Sequence, residues 1–143
     1  MIAVLVATDA DAVFDQVDAA LADENTDVER VRAGKDVASA VAASTPDLVI
    51  LDLQIGNMGG VAVSLHLRNE AGEGRLRDVP VLMLLDRGAD VFLARRSSAD
   101  GWLVKPIDAF ALRRAATAII EGRSGTAAHP AVADHVAGDV TTR

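Results

Sequence analysis

Leu48-Val49-Ile50-Leu51-Asp52 is the stretch that decides the fold. Four consecutive apolar residues ending on a carboxylate are too short for a helix and too uniformly apolar for a strand with one wet face, so the run reads as a strand buried on both sides. Ile2 to Ala7 repeats the arrangement and stops at Thr8-Asp9, while Val79 to Leu85 and Trp102 to Val104 add two more such runs. Between them, apolar residues recur at helical spacing: Val13, Val17 and Leu21; Val37 and Val41; Leu112, Ala116, Ile119 and Ile120. Asp108, just after Pro106, is placed to cap the last helix, and Asp11 to cap the first. Val28-Glu29-Arg30-Val31-Arg32 is less apolar, which suits an edge strand. Val61, Val63, Leu65 and Leu67 fit either period, but parallel strands need a crossover between them, so a helix is expected there. Five β-α repeats imply a parallel sheet with helices on both faces, and ligands of such sheets sit at the carboxyl ends of the strands. The residues just past three of those ends are Asp9, Asp52 and Lys105.

The 143 residues are half apolar, enough for one buried domain. Mean hydropathy is +0.24, yet the longest apolar runs fall far short of the roughly 20 residues that cross a bilayer. No basic segment, hydrophobic region and cleavage site follow in order at the N-terminus, so a cytoplasmic protein without membrane contact is expected. The absence of cysteine excludes disulfides, thiolate nucleophiles and Cys-based metal sites. A formal charge of -7, with one Trp, three Phe and no Tyr, argues against direct DNA binding. His66, His129 and His135 form no metal-ligand spacing. Past Gly122 the apolar pattern dissolves, so the expected organisation is a domain over residues 1–122 and a disordered tail over 123–143.

Two carboxylates converging at strand ends repel unless a cation lies between them or a proton is retained. Magnesium suits that place, being held by one or two carboxylates plus water and phosphate oxygens. Lys105 adds a fixed positive charge that can face the carboxylates or a phosphoryl group. The set has the chemistry of a phosphoryl-acceptor site.

At these residues the chain resembles the receiver domain of two-component response regulators, over roughly residues 2 to 122. The resemblance rests on Val4 to Asp9, on Pro46 to Leu53 with Met58 and Gly60, and on Leu103-Val104-Lys105-Pro106-Ile107-Asp108. It implies a flavodoxin-like five-stranded sheet in the order 2-1-3-4-5, with Asp52 as phosphoacceptor and Lys105 as phosphoryl partner. Asp9, Asp52 and the Gln54 carbonyl would be magnesium ligands, and Lys105-Pro106 a cis peptide. A sensor histidine kinase or phosphotransfer protein would be the phosphodonor. Output would be contact with a downstream protein, because nothing after the last helix reads as a DNA-binding domain. Helix 4, strand 5 and helix 5 would form the face for that contact or for a homodimer.

The departures matter as much. Thr8 replaces the first of two adjacent acids, so weak magnesium binding, millimolar or poorer, is expected. Leu85 replaces the hydroxyl residue that reads the phosphoryl group, and Asp86 follows it with a negative charge. Gly56 stands where proline is usual, the segment from Leu85 to Trp102 is short, and Glu70 to Asp78 is expanded. Trp102, in place of a rotating aromatic ring, reads either as an interface anchor or as core. Arg95-Arg96 and Arg113-Arg114 read as either solvated or as cationic contacts on the output face. The alternatives are a phosphorylation-independent pseudo-receiver and, on Asp9-Ala10-Asp11, a haloacid-dehalogenase-like phosphatase. The latter lacks a second acidic pair after the lysine strand.

Overall fold

The computed structural model describes residues 1–123; the expected tail beyond Arg123, with His129 and His135, lies outside the described residues. The elements alternate as read from the sequence: β1 (Ile2–Ala7), α1 (Asp11–Leu21), β2 (Thr26–Val31), α2 (Val37–Ser44), β3 (Leu48–Asp52), α3 (Gly60–Gly72), β4 (Val81–Leu85), α4 (Val91–Arg96), β5 (Gly101–Val104) and α5 (Ala109–Arg123). All strand pairs are parallel and the sheet order is β2-β1-β3-β4-β5, so the fold is a flavodoxin-like α/β sheet. The polar β2 is an edge strand, as its composition requires.

Side chains alternate across a strand, and that alternation builds two cores. Leu5, Val49, Leu51, Val81, Met83 and Leu85 face α2, α3 and α4, where they meet Val37, Val41, Val63, Leu67 and Val91. Val4, Val6, Leu48, Ile50, Leu82 and Leu84 face the other way, onto Val13 and Val17 of α1 and Leu112 and Ile119 of α5. The ambiguous segment is helical, and only Val63 and Leu67 of its apolar residues are buried; Leu65 turns outward. Asp108 caps α5 as expected, its carboxylate accepting the Ala111 N–H at 2.9 Å. Asp11 does not cap α1. It is the first helical residue, Ala10 precedes it without a side-chain cap, and the Asp11 carboxylate instead pairs with Arg30 at 2.8 Å and Arg32 at 3.0 Å. Those hydrogen bonds, from Arg30 first, hold the Asp11 carboxyl below its ordinary range.

α4 is one and a half turns long, six residues after a short 3-10 turn at Gly88–Asp90, in keeping with the shortened segment. A matching 3-10 turn at Gly34–Asp36 presses on the loop after β3, where the Gly34 N–H donates to the Gly56 carbonyl at 3.2 Å. A Cβ at Gly34 would lie 1.9 Å from the Met58 carbonyl oxygen. Gly34→Ala is therefore expected to cost about 1–3 kcal/mol of stability by overpacking, read as a lower denaturant midpoint. An unchanged midpoint would mean that the two loops do not bear on each other.

Candidate functional site

The carboxyl ends of β1, β3, β4 and β5 bring Thr8, Asp9, Asp52, Asp86 and Lys105 to one end of the sheet. Asp52 is the last residue of β3 and only 3 % exposed. A carboxylate so placed must be satisfied by donors. Lys105 Nζ donates to its Oδ1 at 2.8 Å, with the Gln54 N–H a longer second donor at 3.3 Å. Thr8 Oγ1 donates to its Oδ2 at 2.8 Å. The hydroxyl's orientation is fixed because Oγ1 also accepts the Ala10 N–H at 3.1 Å, which leaves its proton for Asp52. Asp9 lies outside this group, exposed, with its Oδ2 accepting the Gly56 N–H at 3.0 Å.

Lys105 is shared. Its ammonium also donates to Asp86 Oδ1 at 3.0 Å, so the acid expected to repel a phosphoryl group is paired with the one lysine of the site. Burial works to lower the Lys105 pKa, but its hydrogen bonds to Asp52 and Asp86 outweigh it and hold the group above its ordinary 10.5. Leu85 is fully buried among the α2–α4 core residues and supplies no polar atom toward Asp52. The Lys105-Pro106 peptide is cis, as expected.

The residues expected on the output side separate. Trp102 is 4 % exposed and packs in the core, with Arg95 stacked on its ring at 5.6 Å, so the core alternative describes it and the exposed anchor does not. Its indole N–H is buried without a partner among the described residues. Arg95 and Arg96 are exposed on α4. Arg114 stacks on the exposed Phe110 at 4.9 Å, whereas Arg113 reaches back toward the Ala20 carbonyl of α1. Two contributors escaped the sequence reading. Arg30, on the edge strand, donates to the Thr8 carbonyl at 3.0 Å and so fastens the β1–α1 loop; its Phe14 contact is at 5.3 Å. The Gly56 N–H is the other: the sequence showed Gly56 only in the place of proline, and a backbone donor carries no side-chain signal.

The donor chemistry fits magnesium. The oxygens expected as ligands are those of Asp9, Asp52 and the Gln54 carbonyl, and Asp9 Oδ1 accepts no hydrogen bond among the described residues. No cluster of three or more acids or histidines is present among the described residues, which disfavours ions that demand a protein-only cage. A small hard ion that keeps several waters suits such a set.

A family model, the response regulator receiver domain, matches residues 4–117. The DNA-binding response regulator MtrA of Mycolicibacterium smegmatis is 32% identical over 105 residues, covering 72% of this chain and 43% of MtrA. The transcriptional regulatory protein CseB of Streptomyces avermitilis is 30% identical over 129 residues, 89% of this chain and 52% of CseB. The chain thus spans about half the length of these curated relatives. A putative response regulator from Chloroflexus aurantiacus superposes with a TM-score of 0.75 at 21% identity, over 83% of this chain and 97% of the other. The signal receiver domain of a histidine kinase from Syntrophus aciditrophicus gives 0.76 at 24% identity, over 88% and 95%. At those identities the structural likeness bears on the fold.

The shared lysine makes a titration prediction. Because its folded pKa is raised, the stability it contributes is fully present below 10.5 and is lost as pH rises through the folded value. Asp86→Asn removes one of its two anionic partners, so the loss is expected to begin at lower pH, read by thermal melts between roughly pH 9 and 12 and by the Lys105 side-chain NMR shift. Superimposable alkaline titrations of the two proteins would show that Asp86 does not hold Lys105 in solution.

Proposed function

We propose that this chain, which belongs to the response regulator receiver domain family, accepts a phosphoryl group on Asp52 from a sensor histidine kinase or phosphotransfer protein. The observation that carries the reading is the 2.8 Å hydrogen bond from Lys105 Nζ to Asp52 Oδ1 at the sheet's carboxyl end. An Asp52 carboxylate oxygen forms a bond to phosphorus, and the bond from phosphorus to the donor breaks, its electron pair leaving with the donor. Lys105 stays beside the new acyl phosphate and offsets the charge of about -1.5 to -2 that its phosphoryl group carries. Asp9, Asp52 and the Gln54 carbonyl would hold magnesium, which when bound neutralises phosphoryl charge. No enzymatic activity beyond accepting and hydrolysing this group is part of the reading.

Output is assigned to contact with another protein, in the cytoplasm, through the α4–β5–α5 face, where Arg95 and Arg96 are exposed and a homodimer would also form. No helix among the described residues is long and apolar enough to cross a membrane. MtrA is a DNA-binding regulator by name, but the matched region covers 43% of it. The net charge of -7 argues against direct DNA binding by this chain.

A second reading, a module that binds its partner without phosphorylation, is favoured by Leu85 and by the Asp86–Lys105 pair. A hydrogen bond to a charged group contributes about 1.5–3 kcal/mol. Moving a two-state protein from 1:99 to 99:1 takes about 5.5 kcal/mol. Losing the hydroxyl at position 85 thus removes a large share of any switching energy. Partner affinity is therefore expected to change by less than about tenfold, 1.4 kcal/mol, in Asp52→Asn.

Incubation with acetyl phosphate and magnesium, followed by intact-mass measurement, separates the readings. One phosphoryl group per chain is expected, and none on Asp52→Asn. A wild-type protein that stays unmodified would sink the phosphoacceptor reading and leave the phosphorylation-independent one.

A further inference from the structure

At the same end of the sheet, a backbone hydrogen bond joins Gly56 to Asp9. The Gly56 N–H donates to Asp9 Oδ2 at 3.0 Å, across 47 residues of sequence. A Cβ built at Gly56 would lie 3.0 Å from that same oxygen, which is tighter than an ordinary contact, so the carboxylate rests directly on the glycine backbone. Proline, the residue usual at this place by the family resemblance, has no N–H to donate. A Cβ there would crowd the carboxylate that the N–H holds. Glycine combines the donor with an unhindered approach.

The loop is not free to give way. The Gly56 carbonyl accepts the Gly34 N–H at 3.2 Å and the Met58 N–H at 3.0 Å, so both polar groups of the residue are engaged. Across the site Thr8 makes the same kind of substitution, donating to Asp52 Oδ2 where an acid could only accept. The two carboxylates that would bracket a cation are thus each held by a protein hydrogen-bond donor.

We propose that Gly56 is a positioning residue that sets the divalent-cation demand of this site: it commits Asp9 to the acceptor loop, so that a cation drawing on Asp9 Oδ2 must displace the Gly56 hydrogen bond. The inference rests on Asp9 being a cation-facing carboxylate, as the function proposed above has it. Weak magnesium binding then has two causes, a missing acid at position 8 and an occupied oxygen on the acid that remains. Hydrogen bonds to charged groups are strong enough for the second cause to be measurable.

Magnesium titration at constant ionic strength, followed by amide chemical shifts, tests this without any phosphoryl transfer. Gly56→Pro is expected to tighten magnesium binding about fivefold to tenfold. Asp9→Ala should weaken it in both the wild-type and the Gly56→Pro background. Should Gly56→Pro fold poorly, the wild-type protein still answers: Asp9→Ala should move the Gly56 amide proton upfield and speed its exchange with solvent. Magnesium affinity indifferent to Asp9→Ala would overturn the cation-site assignment and the proposal with it. If Asp9→Ala abolishes binding while Gly56→Pro leaves it unchanged, the site stands and the role of Gly56 falls. A Gly56 amide insensitive to Asp9→Ala would also overturn it.

Discussion

Lys105 lies between two carboxylates, and the carboxyl end of the sheet is organised around that one ammonium. Asp52 is nearly fully buried and Asp86 is half open to solvent, yet both accept a hydrogen bond from Lys105 Nζ, at 2.8 and 3.0 Å. A buried carboxylate without such a partner would carry a large desolvation cost. The lysine therefore does two things at once. It satisfies the buried Asp52 carboxylate, and on the proposed function it would supply the positive charge toward which an added phosphoryl group turns.

That position follows from the sheet. Inner strands buried on both faces leave their ends open to solvent, and the order β2-β1-β3-β4-β5 places β3 between β1 and β4, with β5 one strand further out. Thr8 and Asp9 then flank Asp52 on one side, and Asp86 and Lys105 on the other. The same alternation that points Ile50 and Leu84 into the α1–α5 core points Leu51 and Leu85 into the α2–α4 core. Leu85 is thus a packing residue at a position adjoining the acceptor. Its contribution goes to stability, and among the described residues the Asp52 carboxylate is linked to the end of β4 by side-chain hydrogen bonds through Lys105 and Asp86.

The architecture was legible because it is written in periodicity. Runs such as Leu48 to Leu51 and Ile2 to Ala7 can only be two-sided strands, their terminal acids mark the site, and the Asp108 cap is a local rule. The site's hydrogen bonds were less legible because they join residues 44 to 53 positions apart through loops whose side-chain directions no pattern fixes. Thr8 read as a missing acid, and its role as a donor to Asp52 appeared only once the Ala10 N–H was seen to orient its hydroxyl. Asp11 read as a cap, but two arginines at the end of the neighbouring strand claim it. Trp102 left both readings open because a large aromatic residue on an edge strand serves either as anchor or as core, and burial decided it.

With no hydroxyl at position 85, the proposed phosphorylation of Asp52 would change chiefly the contacts of Lys105 and Thr8, and a state shifts only through contacts that differ. Amide chemical-shift mapping of the protein saturated with beryllofluoride, a phosphoryl mimic on Asp52, measures this most directly. The account predicts large shifts at Thr8, Asp52, Asp86 and Lys105 and small ones along α4, β5 and α5 beyond them. Shifts of comparable size across that whole face would contradict it, because they would require a coupling that the contacts of Asp52 do not supply.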